Sequence, residues 1–441
     1  MMNDQAQTIE DAAIGEKREQ VVLPSGLPVV VFSRPGFKKT FATFATHYGS
    51  IDNTFRDAQS GQEITVPDGI AHFLEHKMFE KKGGGDAFDD FARLGASSNA
   101  YTDYTSTTFL FQTTAHVLDN LGTLLDFVQE PCFTDENVEK EKGIIEQEIR
   151  MYLDMPGDRL HSNLMQALYV NHPVRIDIAG TVESIRTITP QNLYTCYQTF
   201  YHPSNMVLFV VGDLDASSVF DYVWENQKHK GYGKQSPISR NFPPEPQTVA
   251  EKHREQQMVV SMPLFVMGYK DPETGLSGRD LLRHELIHGL MWQMLCGRSS
   301  SLFHHLYRQG LINDRFYARY GASTTFGFST LGGETPDPAA LEAQLLEGLH
   351  HAPLRAEDLE RAKKREVGEY ISLFQNPEEL AYAFNHMFFR RIDIFEYVDT
   401  VLSINLEDIE RARHTHLNET RRASSVIRPA DEGYARKESD G

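Results

Sequence analysis

Five consecutive residues, His72-Phe73-Leu74-Glu75-His76, place two imidazoles four positions apart with a carboxylate between them. On a helix such positions lie one above the other on the same face. Both rings can then hold one metal ion, while Glu75 acts on a water beside it. Hydrolysis by zinc needs this set: protein ligands, one open position and a base close to that position. The order H-x-x-E-H reverses the more familiar H-E-x-x-H. The chain contains that order too, as His284-Glu285-Leu286-Ile287-His288, so context must decide which pentad carries chemistry.

Two histidines leave zinc one protein ligand short of the usual three of a catalytic site. The helix expected over Asp135–Met151 can supply it, since its acidic start suits a helix N-terminus. It carries Glu136, Glu139, Glu141, Glu146 and Glu148. Glu141 and Glu148 are seven apart and share a face, so one could bind the metal and the other orient a ligand. Composition does not rank them, and most of the five read as a solvated charged face.

The elements that must position these residues fall into two halves. A stretch rich in Gly and Pro, about Lys230 to Glu255, reads as a linker. The first half has apolar strands over Gln20–Phe32 and Thr40–Tyr48, the His72 helix, a β-rich stretch Ser97–Thr113 and a charged helix from about Thr134. The second repeats that order: a strand over Gln257–Tyr269, a helix over Arg279–Leu295, β structure over Phe316–Leu331 and a charged helix from about Arg355. Ser106-Thr107-Thr108-Phe109-Leu110-Phe111 is echoed by Ser323-Thr324-Thr325-Phe326-Gly327-Phe328, and the same offset carries His72 to the residue after His288. The expectation is an α+β protein of two homologous α/β-sandwich domains: residues 1–230 catalytic, 231–255 a linker and 256–441 non-catalytic. No Gly-rich phosphate loop follows a strand, which excludes a dinucleotide-binding fold.

The length of 441 residues itself suggests two domains of about 200 residues. The formal charge of −19 argues against nucleic acid as a partner. No run of about 20 apolar residues is present, so no membrane span is expected. Three widely separated cysteines, Cys132, Cys196 and Cys296, fit free thiols. With the polar stretch from Met1 to Glu19, they point to the cytoplasm.

The residues Gly69-Ile70-Ala71-His72-Phe73-Leu74-Glu75-His76-Lys77-Met78-Phe79 resemble the zinc helix of the pitrilysin/insulinase-like inverted-zincin peptidases. Glu141-Lys142-Gly143-Ile144-Ile145-Glu146-Gln147-Glu148 resembles that family's second acidic motif. Asn99-Ala100-Tyr101-Thr102 is similar to its substrate-binding edge strand. Tyr201-His202-Pro203-Ser204-Asn205-Met206 and Val210-Val211-Gly212-Asp213 are similar to its closing strand. The resemblance covers nearly the whole chain and is nearest to the bacterial YmfH-type branch. There a zinc subunit of this size is typically encoded beside a zinc-less relative. It implies the insulinase-like, LuxS-type metallohydrolase fold and one Zn2+ per chain, held in the first half by His72, His76 and Glu148. It makes Glu75 the general base, Glu141 a carboxylate behind the ligands, and Ser98, Asn99, Ala100 and Tyr101 the strand along which a peptide adds. The activity implied is a metalloendopeptidase acting on peptides or unfolded segments.

The match fails in one place. The family usually carries an Arg and a Tyr, seven residues apart, in its second half; aligned on Gly310-Leu311, those positions hold Leu306 and Asn313. Neither donates as Arg or Tyr would, and Arg308, Arg315, Tyr317 and Tyr320 stand at unsuitable spacings. The expectation is a heterodimer with a zinc-less paralogue that supplies the pair. The resemblance places no metal at the second pentad, whose histidines read as packed or solvated; Glu369 is the conceivable third ligand were a metal there. The rival reading from another class is a structural or assembly subunit that retains the fold without catalysis. Against it, every zinc-site position is filled.

Overall fold

A computed structural model describes residues 6–57, 60–233 and 235–430, so the outer ends of the two expected halves lie outside the described residues. The chain forms two compact α+β units.

The first unit is built on a seven-stranded sheet in the order Gln7–Asp11, Glu16–Val22, Pro28–Ser33, Met206–Gly212, Thr40–Thr46, Thr107–Thr113, Ser97–Thr102. Only Pro28–Ser33 and Met206–Gly212 run parallel. The stretch expected as one strand over Gln20–Phe32 is a hairpin, because Leu23-Pro24-Ser25-Gly26-Leu27 turns there. Gly26 takes a left-handed φ of 90°, and an added Cβ would stand 2.7 Å from Ser204 Cβ. Strand Met206–Gly212 is buried at every residue, which a sheet covered on both faces requires. Beneath one face lies a core of Phe44, Phe73, Phe109, Phe111, Leu121 and Leu125. On the other, helix Pro377–Phe389 packs on the central strands, with Phe384 stacked on Phe209 at 4.6 Å. Its Asn385 donates to Thr43 Oγ1 at 2.9 Å.

The second unit has a five-stranded sheet in the order His253–Met258, Arg422–Pro429, Leu264–Lys270, Gly327–Glu334, Tyr317–Ala322. Its first two strands are parallel and the rest antiparallel. This repeats five adjacent strands of the first sheet, from Pro28–Ser33 to the edge strand Ser97–Thr102, pair for pair. The duplication is therefore topological, while the literal echo of six residues is out of register. The equivalent turns are closed by Asp103 N to Ser106 O and Ser323 N to Phe326 O, which pairs Ser323 with Asp103 rather than with Ser106. The expected strand Gln257–Tyr269 is two strands that do not pair with each other; Pro263, which has no N–H to donate, lies in the break.

The units are not the contiguous halves expected from sequence. Residues 150–176, with helix Pro156–Leu168, belong to the second unit, and residues 371–389 to the first. Both helices have an apolar stripe, and a stripe does not specify which sheet it covers. Nor is 231–255 a free tether. Arg240 binds Asp52 at 2.9 Å within the first unit. In the second, Glu245 accepts the backbone N–H groups of Val170, Asn171 and His172 and pairs with Lys270 at 2.7 Å.

Candidate metal centre

The pentad lies on helix Ile70–Met78, whose start is fixed by a close backbone approach. Gly69 caps it at φ 85°, and a Cβ there would stand 2.3 Å from the Ala179 carbonyl oxygen. Ser184 Oγ donates to the Asp68 carbonyl at 2.8 Å, and Asn53 Nδ2 to the Asp68 side chain at 3.0 Å. Phe73 and Leu74 are wholly buried. Each contributes about 1.5–3 kcal/mol on burial, and together they fix the rotation of the helix. That rotation turns His72 and His76 to one side, with ring centroids 4.6 Å apart.

The acidic helix runs Asp135–Leu153, and burial separates its glutamates. Val138, Glu141, Ile145 and Ile149 form its buried stripe, so Glu141 holds a core position in the 3.6-residue period. Glu136 and Glu139 are exposed, and Glu146 pairs with Arg186 at 2.9 Å. Glu148, partly buried, faces the pentad: its Oε1 is 3.7 Å from His72 Nε2 and its Oε2 is 3.4 Å from His76 Nε2. One ligand atom from each of the three lies within 4.8 Å of the others. Nitrogen and oxygen ligands about 2.0–2.1 Å from a tetrahedral zinc stand roughly 3.3 Å apart. Two imidazoles and a carboxylate spaced in this way fit that ion.

The other ring nitrogen of His76, Nδ1, is 3.1 Å from Glu141 Oε1. A carboxylate behind a histidine fixes its tautomer and leaves Nε2 as the outward lone pair. Glu141 is in turn held by Lys77 Nζ at 3.4 Å, and Lys77, fully buried, also binds Glu80 at 2.7 Å. Burial raises the Glu141 pKa, but the His76 hydrogen bond and Lys77 outweigh it and hold the carboxylate below its ordinary range. Burial likewise lowers His76, and the bond to Glu141 with the charges of Glu75 and Glu148 reverses this to a net rise. Burial, then the neighbouring His76, pushes His72 down to about 4. Glu75 accepts a hydrogen bond from Thr102 Oγ1 at 2.6 Å, yet burial dominates and pushes it up to about 7.

Strand Ser97–Thr102, which carries Ser98, Asn99, Ala100 and Tyr101, is the outermost strand of its sheet and pairs only with Thr107–Thr113 among the described strands. Alternation along it sends Thr102 toward Glu75 and Tyr101 to the opposite face, where its ring meets Tyr382 edge-on at 5.4 Å. Sequence reading missed Lys77 and Thr102. Both adjoin motif residues, but nothing in their types reveals that one is buried and the other reaches Glu75.

In the second unit Leu306 is fully buried and Asn313 donates to Glu334 at 2.8 Å. Of the nearby alternatives, Arg315 pairs with the same Glu334 and Tyr320 donates to Asp271. Glu369 pairs with Arg365 at 2.7 Å in place of facing the second pentad. The carboxylate that does approach His284 and His288 is Asp271. Among the described residues no helix is long and apolar enough to cross a membrane.

Fold and centre together define a duplicated α+β protein with a constellation of H-x-x-E-H order in its first unit that could hold a metal ion. Two family models match: insulinase (peptidase family M16) over residues 58–182 and the peptidase M16 inactive domain over residues 187–366. The uncharacterized zinc protease YmfH of Bacillus subtilis (strain 168) is 45% identical over 390 residues, covering 88% of this chain and 91% of that protein. The crystal structure of an M16-like peptidase from Alicyclobacillus acidocaldarius superposes with a TM-score of 0.91 at 38% identity, over 96% of this chain and all of that one. At the level of fold, 99% of this chain matches 49% of the periplasmic protease PqqL from Escherichia coli, with a TM-score of 0.71 and 17% identity. The chain belongs to the insulinase, or M16, peptidase family.

Proposed function

We propose that the chain is a zinc-dependent endopeptidase whose metal is held by His72, His76 and Glu148, with Glu75 as general base and then general acid. The observation that carries this reading is the convergence of His72 Nε2, His76 Nε2 and the Glu148 carboxylate beside a buried Glu75. Zinc, when bound, supplies the Lewis acidity that polarises a scissile carbonyl and makes a water acidic enough to attack it. Glu75, held by Thr102 beside the ligand set, takes a proton from that water and returns it to the leaving amine as the C–N bond breaks. Thr102 fixes the Glu75 carboxylate, and Glu141 fixes the His76 ring. The substrate peptide lies along Ser98–Tyr101 and adds a strand to the open sheet edge, so affinity comes mainly from backbone hydrogen bonds.

The active form in this reading is a heterodimer with a zinc-less relative that supplies an Arg and a Tyr. Its support is that Leu306 and Asn313 occupy the corresponding positions, and that Arg315 and Tyr320 are engaged elsewhere. The match to about half of a longer protease agrees with it. Free Cys132, Cys196 and Cys296 favour a reducing, cytoplasmic setting.

The test measures zinc per chain and cleavage of an unstructured peptide library, for the wild type and His76→Ala, each with and without the candidate partner. The reading expects first-unit zinc lost with His76, and cleavage only by the wild type and fully only with the partner. A wild type that takes up no zinc would leave a scaffold role, and full turnover by the chain alone would remove the partner.

A further inference from the structure

We propose that the second unit carries its own buried metal site, in which Asp271, His284, His288 and His416 bind a divalent transition-metal ion of the zinc class. The four come from three places in the fold. Asp271 follows strand Leu264–Lys270, His284 and His288 lie one turn apart on helix Gly278–Cys296, and His416 ends helix Leu406–His416. Asp271, His288 and His416 are buried, and the His284 side chain is 14% exposed.

Three ring nitrogens converge on one oxygen. Asp271 Oδ2 is 2.9 Å from His284 Nε2, 3.9 Å from His288 Nε2 and 3.7 Å from His416 Nδ1. The opposite nitrogen is hydrogen-bonded in two of the rings and faces a carboxylate in the third. His288 Nδ1 donates to the His284 carbonyl at 2.8 Å, and His416 Nε2 bonds Ser329 Oγ at 2.8 Å. His284 Nδ1 faces Glu273 Oε2 at 3.6 Å. Metal-binding histidines are oriented in this manner, one nitrogen tied to a carbonyl, hydroxyl or carboxylate and the other turned to the ion.

A metal-free ion pair accounts for only part of the cluster. Asp271 with a protonated His284, and with the Tyr320 hydroxyl donating at 2.5 Å, is a sufficient structure for those three groups. It leaves His288 Nε2, unprotonated in the neutral ring because Nδ1 is the donor, presenting a lone pair to a carboxylate oxygen. It also leaves His416 Nδ1, in a wholly buried ring, without a hydrogen-bond partner. A cation among these atoms satisfies both. Three imidazoles and one carboxylate suit zinc and its neighbours better than calcium or magnesium, which prefer all-oxygen sites. The site is structural rather than catalytic. Asp271, His284 and His288 each offer a ligand atom within 4.8 Å of the others, His416 Nδ1 stands 3.7 Å from Asp271 Oδ2 as the fourth donor, and the pentad's carboxylate, Glu285, is turned away to bind Arg390 and the Ala322 N–H.

The experiment loads the full chain with zinc, removes loosely held metal by gel filtration and counts zinc per chain. The wild type should hold two. His76→Ala/Glu148→Gln, which removes the first-unit ligands, should hold one. Adding Asp271→Asn and His288→Gln to that background should take the count to zero. No zinc in His76→Ala/Glu148→Gln would overturn the proposal, as would zinc that survives the Asp271 and His288 changes. Should the quadruple variant fail to fold, His76→Ala/Glu148→Gln is titrated with Co2+ alone. A visible tetrahedral band that saturates at one equivalent and is displaced by zinc supports the site; its absence overturns it.

Discussion

Replacing Glu141 with Gln removes a charge while preserving a shape, and so isolates what that carboxylate does for His76. The side chain accepts from His76 Nδ1 at 3.1 Å and faces Lys77 Nζ at 3.4 Å. An amide oxygen can still accept from Nδ1–H, so the tautomer survives, but the added basicity of an anionic acceptor is lost. Losing such a partner typically weakens metal binding 10- to 100-fold, equivalent to about 1.4–2.8 kcal/mol. Lys77, with no exposed surface, keeps Glu80 at 2.7 Å, so the metal-free protein should lose only about 1–2 kcal/mol, or roughly 2–8 °C in Tm for a unit of this size. The assay is competition for zinc against a chelating dye, with thermal melts of the metal-free and loaded forms. Two results would refute the reasoning. Unchanged zinc affinity would show that Glu141 only anchors Lys77, and abolished binding would make it a ligand.

Glu75→Gln should keep zinc and Tm within error while peptide cleavage falls at least about 100-fold, the scale of lost general base catalysis. Reduced zinc content would move Glu75 among the ligands. Gly69→Ala should destabilise the first unit by about 2–4 kcal/mol, because φ is 85° and the new Cβ meets the Ala179 carbonyl at 2.3 Å; a melt no lower than wild type would refute that. In the second unit His172 accepts the Val174 N–H through Nδ1 at 3.1 Å and stacks on Phe242. Burial pushes its pKa down to about 4, so its contribution is full above the unfolded value of about 6.5 and is lost as pH falls toward 4, by up to about 3 kcal/mol. Urea melts across that window should show the loss, and a His172→Gln chain should show less of it.

Legibility in the sequence follows the range over which each feature is fixed. The pair His72 and His76 is set by the pitch of one helix turn, and Glu141 with Glu148 by two turns, so spacing alone revealed both as single faces. The order of strands and helices was legible from apolar runs, because each run is local. Where runs abut, they merged: Gln20–Phe32 hides a hairpin and Gln257–Tyr269 two strands.

Sequence by itself therefore determined the chemistry on offer, the duplicated α+β order and a short choice of candidate carboxylates. Tertiary structure decided which carboxylate goes where. Glu148 meets the two imidazoles and Glu141 lies behind His76 because the fold brings side chains 65 and more positions apart in the chain together. The same holds for the exchange of Pro156–Leu168 and Pro377–Phe389 between units, since an apolar stripe carries no address. It holds most strongly for Asp271 and His416, which reach His284 and His288 from a strand end and a distant helix end. Periodicity governs neighbours along a chain, whereas convergence in space depends on how whole elements are buried against each other.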